Sequence, residues 1–164
     1  MRKLTLVLFL FIGFSLFSQE KSDAVTKHFD QYLTNKSIFE MIEKSFPTLE
    51  ECQQVFIGDH AKVYLNGIQE VKKVIQNILS NPDSETLVKS SYEKFSSNDA
   101  KSEDGKGSFG MNRIKDVLQP DITYYLISYK TSDGSDSKFS PFKFFVKLNG
   151  KWLFFPKPTI VFGK

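Results

Sequence analysis

The stretch FVKLNGKWLFFPKPTIVF, residues 145–162, carries the strongest fold signal in the chain. It contains Asn149-Gly150, a dipeptide typical of a two-residue β-hairpin turn, between two apolar and aromatic runs. A turn of this length sets which residues oppose each other in the hairpin. The cross-strand pairs predicted in this way are Leu148 with Lys151, Lys147 with Trp152, Val146 with Leu153, Phe145 with Phe154, and Phe144 with Phe155.

This register gives the hairpin two faces, and both are rich in large apolar side chains. The strand predicted over Ile122–Lys130 shows the same feature, because apolar and aromatic residues point to both of its sides. An antiparallel sheet with one face in water usually alternates apolar and polar residues instead. The unexpected second face is half aromatic and half cationic. Its candidate ligand or partner residues are Tyr125, Ile127, Tyr129, Phe145, Lys147, Trp152 and Phe154.

The sequence leaves open what covers this second face. The N-terminal helices and the polar loop Ser96–Ser108 could cover it as a second core. Alternatively, a partner subunit in a homodimer or a small apolar ligand could do so. The register also places Lys147 within reach of the Trp152 ring, which predicts a cation–π contact.

The first half of the chain has the apolar spacing of helices. A helix is expected from Ala24 to about Thr34, and capping-box patterns predict helix starts near Ser37 and Thr48. The helix that begins near Thr48 should end at Gly58, which can adopt the left-handed conformation that helix ends favour. Residues 61–79 show the clearest 3.6-residue period and predict one long helix, started by Asp59 and stopped at Asn81-Pro82.

The second half of the chain changes to strand and turn patterns. Strands are predicted at residues 86–95, 122–130 and 138–148, the last interrupted at Pro141, with a return strand at 151–155. A short ambiguous segment at 111–118 could form one or two helical turns. Helices followed by an antiparallel meander indicate an α+β fold, with N-terminal helices packed on a curved sheet of about four strands.

The N-terminal residues have the layout of a secretory signal peptide. A basic start, Met1-Arg2-Lys3, precedes an apolar run of about 14 residues and then a polar sequence. We therefore expect residues 1–18 to be a signal peptide and residues 19–164 to form a single α+β domain. The protein would then be exported, periplasmic or extracellular, with no stable membrane anchor after signal removal.

The remaining chain has little net charge and few residues suited to catalysis. Without residues 1–18 it has 20 basic and 19 acidic residues, so nothing points to a nucleic-acid partner. No motif for a cofactor, a metal or a nucleophile is recognisable, and we expect none of these groups. The lone Cys52 follows the inner stripe of a predicted helix, which predicts a small buried core residue.

The closing segment LNGKW, residues 148–152, resembles the last hairpin of exported members of the nuclear-transport-factor-like or cystatin-like superfamily. In addition, FPTLEECQQVF (residues 46–56) and NGKWLFFPKP (residues 149–158) resemble small uncharacterised secreted proteins of Bacteroidota. The first resemblance implies helices packed on a bent sheet around a cone-shaped pocket. Unlike the nuclear-transport-factor pattern, this chain has several helices before its first strand.

Two functions follow as expectations. The first is an exported, non-enzymatic binding or interaction domain that uses the aromatic second face for a small apolar ligand or a partner subunit. The alternative, implied by the resemblance, is an isomerase or hydratase-like enzyme with a cone-shaped pocket. Such an enzyme would need a base in an apolar site, and the sequence offers few candidates. They are His28 beside the apolar stripe of the first helix, His60 in the first turn of the long helix, and Asp30 and Asp116, with Tyr124 and Tyr125 as hydrogen-bond donors.

Overall fold

The computed structural model describes residues 24–80, 85–100, 110–137, 144–156 and 158–162. The predicted signal peptide, most of the Ser96–Ser108 loop and the interruption at Pro141 lie outside these ranges. Within them, no helix has both the length and the apolar character needed to cross a bilayer.

Most of the described helices precede a four-stranded sheet in the chain, two lie between its first and second strands, and one follows its last strand. The described helices are α1 (24–29), α2 (Asn35–Lys44), α3 (Leu49–Gln53), α4 (His60–Gly67), α5 (Gln69–Ser80), α6 (Ser97–Ala100), a 3₁₀ helix (Met111–Val117) and α7 (Thr159–Phe162). The strands are β1 (Leu87–Ser96), β2 (Thr123–Thr131), β3 (Phe144–Leu148) and β4 (Lys151–Phe154).

The sheet is an open antiparallel meander in the order β1-β2-β3-β4. This confirms the predicted α+β class and the number of strands. The hairpin register is confirmed at all four pairs from Phe145–Phe154 to Leu148–Lys151. Asn149 and Gly150 have φ angles of 49° and 82°, the left-handed pair that a tight turn between twisted strands requires.

Helices cover both faces of the sheet. The first face, which carries Tyr124, Leu126, Val146 and Leu153, packs against α3, α4, the 3₁₀ helix and α7. Cys52 is fully buried there, as the sequence predicted. The second face packs against α1, α2 and α5, which contribute residues such as Phe29, Ile42 and Ile75. The sheet therefore lies between two apolar clusters, which explains why its strands do not alternate cleanly.

Backbone groups of the helical half also bind the two edges of the sheet. On β4, the Phe154 N–H donates to the Ser45 carbonyl at 2.7 Å. On β1, the Leu87 N–H donates to the Leu33 carbonyl at 3.1 Å. These bonds satisfy groups that an edge strand would otherwise present for pairing with another chain.

The predicted start of α2 was wrong by three residues. Thr34, not Ser37, caps the helix, and the two residues exchange hydrogen bonds as a capping box with Ser37 at its third position. The Glu40 carboxylate, expected to close the box, instead lies 3.9 Å from Lys36. The start moves to Thr34 because the Ser37 hydroxyl accepts a hydrogen bond from the Thr34 N–H, the role that the prediction gave to a carboxylate. By contrast, the capping box at Thr48 is confirmed.

Two helix ends also differ from the prediction. The first helix stops at residue 29, where Asp30 turns toward β1. The helix begun at Thr48 ends at Gln53 and is followed by a turn at residues 54 and 55, because Phe56 then pairs with Leu118 in an extended bridge. Gly58 does have the predicted left-handed φ, 55°, but in the turn that follows.

The predicted long helix over residues 61–79 is two helices, α4 and α5, separated at Ile68. A Cβ at Gly67 would lie only 2.7 Å from Cγ1 of Val161, so Gly67 allows α7 to pack against the end of α4. Asp59 precedes α4, but its side chain makes no capping hydrogen bond, contrary to the prediction.

Candidate functional site

Four of the seven candidate residues lie beneath the helices that cover the second face. Phe145 and Phe154 have no exposed surface, and Ile127 and Tyr129 are each 1% exposed. The Tyr129 hydroxyl donates to the Phe29 carbonyl of α1 at 3.1 Å, so it also anchors a helix. Within one copy of the chain these four residues are core, and neither a ligand nor a partner can reach them.

The other three candidates lie at the margin of this face. Tyr125 is half-buried, Lys147 is exposed and Trp152 is 8% exposed. The Lys147 ammonium lies 5.3 Å from the centre of the Trp152 ring, so the predicted cation–π contact is confirmed.

Aromatic rings from α1 and β2 surround Trp152. The His28 imidazole stacks on the indole with 5.7 Å between ring centres, and Tyr125 meets it edge-on at 4.9 Å. Tyr32 then contacts His28 edge-on at 5.7 Å. Because edge-on and offset contacts are favourable for rings, this cluster holds the His28 ring in a defined orientation.

A cleft of about 690 Å³ opens beside this cluster, between the hairpin and helices α1 and α2. Helix α1 and the turn after it position His28 and Tyr32 on one wall, while α2 positions Glu40 and Lys44 on another. The hairpin contributes Lys147, Lys151 and Trp152.

The charges that line the cleft are mainly positive. Lys44, Lys147 and Lys151 contribute three ammonium groups, and Glu40 contributes the lining carboxylate. Lys151 is also paired with Glu51 of α3 at 2.8 Å. Lys44 and Lys147, however, have no carboxylate of the described residues within 4 Å.

The electrostatic environment favours a neutral His28. Partial burial lowers the pKa of the His28 imidazole, and the nearby positive charge of Lys147 lowers it further. His28 is therefore mainly uncharged at neutral pH and presents one donor and one acceptor nitrogen.

The sequence gave His28 as one of several candidate bases, did not connect it with Trp152, and did not select Tyr32 or Lys44. The spacing of His28 and Tyr32 is a partial signal, because residues four apart would lie on the same side of the helix predicted to Thr34, although α1 ends at residue 29. No local pattern, however, relates α1 or α2 to the hairpin more than 100 residues later.

We expect Trp152 fluorescence to report protonation of His28. Trp152 is the only tryptophan, and a protonated imidazole quenches a stacked indole. Emission should therefore fall with decreasing pH, with a midpoint below about 6.5, the ordinary pKa of histidine.

Because the unfolded chain takes up this proton at a higher pH than the folded one, the free energy of unfolding should also decrease as pH falls below about 6.5.

The chain offers a matched control, since its other histidine, His60, is exposed on α4. His28→Gln should remove the fluorescence transition, whereas His60→Gln should leave it unchanged. A transition that persists in His28→Gln would contradict the stacked arrangement.

The Cys52 thiol is poorly placed for chemistry. Burial raises the pKa of the Cys52 thiol to about 12, so the thiolate needed for nucleophilic attack is scarce. The described residues include no group of three or more His, Cys, Asp or Glu side chains placed to hold a metal ion.

Comparison with known protein families, curated proteins and solved structures finds no match to this chain. The resemblances to nuclear-transport-factor-like or cystatin-like proteins, and to secreted proteins of Bacteroidota, therefore stay predictions.

Proposed function

We propose that this protein is a binding domain that holds a small ligand in the cleft between α1, α2 and the β3–β4 hairpin. The observation that carries the proposal is the cleft itself, because about 690 Å³ lies within the range of about 300–1,000 Å³ typical of small-molecule sites. Its lining is more polar than that of most such sites, because the rings of His28, Tyr32 and Trp152 lie among lysines, hydroxyls and an amide. This composition suits a ligand that has both a polar group and a ring surface.

A ligand in the cleft uses only the margin of the aromatic face. Trp152 and Lys147 line the cleft, whereas Phe145 and Phe154 are covered by the chain's own helices. The same burial argues against a homodimer built on the whole second face, since a second copy could contact only the exposed margin. A small ligand therefore fits the site better than a partner subunit.

The enzyme alternative has one supporting observation, the half-buried and neutral His28 in the cleft. A catalytic base is normally oriented by a hydrogen bond from a third group. Among the described residues, no hydrogen-bond partner holds the His28 imidazole, whose contacts are with the rings of Phe29, Tyr32 and Trp152. This environment supports binding more than proton transfer.

Export is part of the proposal and rests on the sequence of residues 1–18 alone.

Native mass spectrometry of the protein, purified gently from the cells that make it, tests the proposal. The blocked variant is Ala24→Phe, which adds a ring at an exposed position lining the cleft. The matched control is Val63→Phe, also exposed on a helix but outside the cleft.

We expect a monomer with additional small-molecule mass for the natural protein and for Val63→Phe, and a bare monomer for Ala24→Phe. A second measurement is Trp152 fluorescence during a screen of chemically diverse fragments. A bare natural protein whose fluorescence no fragment changes, or a dimer without added mass, would overturn the proposal.

A further inference from the structure

Assuming that the proposed cleft is a ligand site, we infer that its ligand is an aromatic anion, a planar ring system bearing one carboxylate-sized negative group. Two features of the cleft point to this class of ligand: lysines with no carboxylate of the described residues within 4 Å, and partly exposed ring surface. Each feature comes from a different part of the chain, and the fold brings them together.

The lysines define where the negative group binds. Lys44 of α2 and Lys147 of β3 line the cleft, and no carboxylate of the described residues lies within 4 Å of either. The lining carboxylate of Glu40 is closest to a different cation, Lys36, at 3.9 Å. The cleft therefore has two ammonium groups available to an anion, and such charge-assisted hydrogen bonds are stronger than neutral ones.

A neutral apolar ligand, which the sequence alone suggested, fits this lining less well. It would cover the Lys147 ammonium, which contacts the Trp152 ring, without supplying a negative charge, and a charge without a counter-charge is costly to remove from water. The same reasoning excludes cations more strongly, because Lys44 and Lys147 would repel them.

The rings define the rest of the ligand. His28 and Tyr32 are each only partly covered. His28 is held by its contact with Trp152, and Tyr32 by its contact with His28. Rings held in fixed orientations bind another ring with little loss of side-chain entropy. A planar aromatic group matches these surfaces better than a flexible chain, which would have to be ordered on binding.

Three probes of equal shape and different charge test this inference. They are 2-naphthoate, the neutral 2-naphthamide and the cationic 2-naphthylmethylamine, with dissociation constants measured by isothermal titration calorimetry. We expect 2-naphthoate to bind about tenfold or more tightly than the amide, given the strength of hydrogen bonds to charged groups. Added salt should weaken its binding, and the amine should bind weakest.

Substitutions of the lysines assign the effect to the cleft. Lys147→Met and Lys44→Met should each weaken 2-naphthoate binding about tenfold and weaken 2-naphthamide binding by a much smaller factor. Lys62→Met, at an exposed position of α4 outside the cleft, is the matched control and should change neither.

The possible failures separate the two proposals. Equal binding of the acid and the amide, lost in Ala24→Phe, would overturn the anionic ligand but retain the binding site. Binding of 2-naphthoate that is insensitive to Lys44→Met, Lys147→Met and Ala24→Phe would overturn the inference by placing the anion elsewhere. Binding of no probe would also overturn it, and the native mass spectra would then decide separately whether the cleft is a site.

Discussion

Replacing Phe145 with alanine is expected to lower the free energy of unfolding by about 3–5 kcal/mol, the usual cost of truncating a buried aromatic ring. Phe145 has no exposed surface, and its ring centre lies 5.0 Å from that of Phe29 and 5.5 Å from that of Phe154. The substitution would leave a cavity between the sheet and α1. Urea denaturation, followed by circular dichroism and by Trp152 fluorescence, measures the loss.

The size of this effect distinguishes a core face from an open binding face. Val88→Ala serves as the control, because Val88 is 53% exposed on β1 and its truncation should change stability by about 0.5 kcal/mol or less. A similarly small effect of Phe145→Ala would mean that the helices do not cover this face. Where the alanine variant does not fold, Phe145→Leu leaves a smaller cavity and keeps the comparison measurable.

Replacing Asp30 with alanine is expected to lower the free energy of unfolding by about 2–3 kcal/mol, because a hydrogen-bonded charge is lost and a buried donor is left without a partner. The Asp30 carboxylate accepts from the Ser90 N–H at 2.7 Å and from the Ser90 hydroxyl at 2.5 Å. Ser90 is only 1% exposed, so water cannot replace the carboxylate. These bonds attach the end of α1 to β1.

Two measurements check the effect of Asp30→Ala, denaturant unfolding and hydrogen exchange at the Ser90 amide. The exchange should become faster in the variant. Asp30→Asn, which retains an acceptor oxygen, should lose less stability, and Asp116→Ala, at an exposed position of the 3₁₀ helix, should lose almost none. Unchanged exchange at Ser90 in Asp30→Ala would show that the carboxylate does not hold this edge.

Predictions from the sequence were most accurate where the physical cause is local. The hairpin register follows from Asn149-Gly150, whose left-handed backbone angles suit a two-residue turn, and four of the five predicted pairs are present in the β3–β4 register. The capping box at Thr48 likewise needs only residues three positions apart. The α+β class followed from the change of apolar period between the two halves of the chain.

Predictions were less accurate where a distant contact competes with a local preference. Residues 61–79 have the period of one helix, yet the helix is interrupted at Ile68, next to the point where Val161 packs on Gly67. The helix begun at Thr48 ends early because Phe56 pairs with Leu118 in an extended bridge. In both cases the competing residue is more than 60 positions away in the chain.

The features of the candidate site also separate into those that local sequence predicts and those that distant contacts decide. The sequence by itself determined that the second sheet face is aromatic and that Lys147 lies over Trp152, because cross-strand neighbours follow from the turn. Only the tertiary structure decided that α1, α2 and α5 bury most of this face and leave a cleft beside Trp152. The periodicity of a helix specifies which of its sides is apolar but not which surface that side will cover, so His28 and Lys44 join Trp152 only when the chain packs.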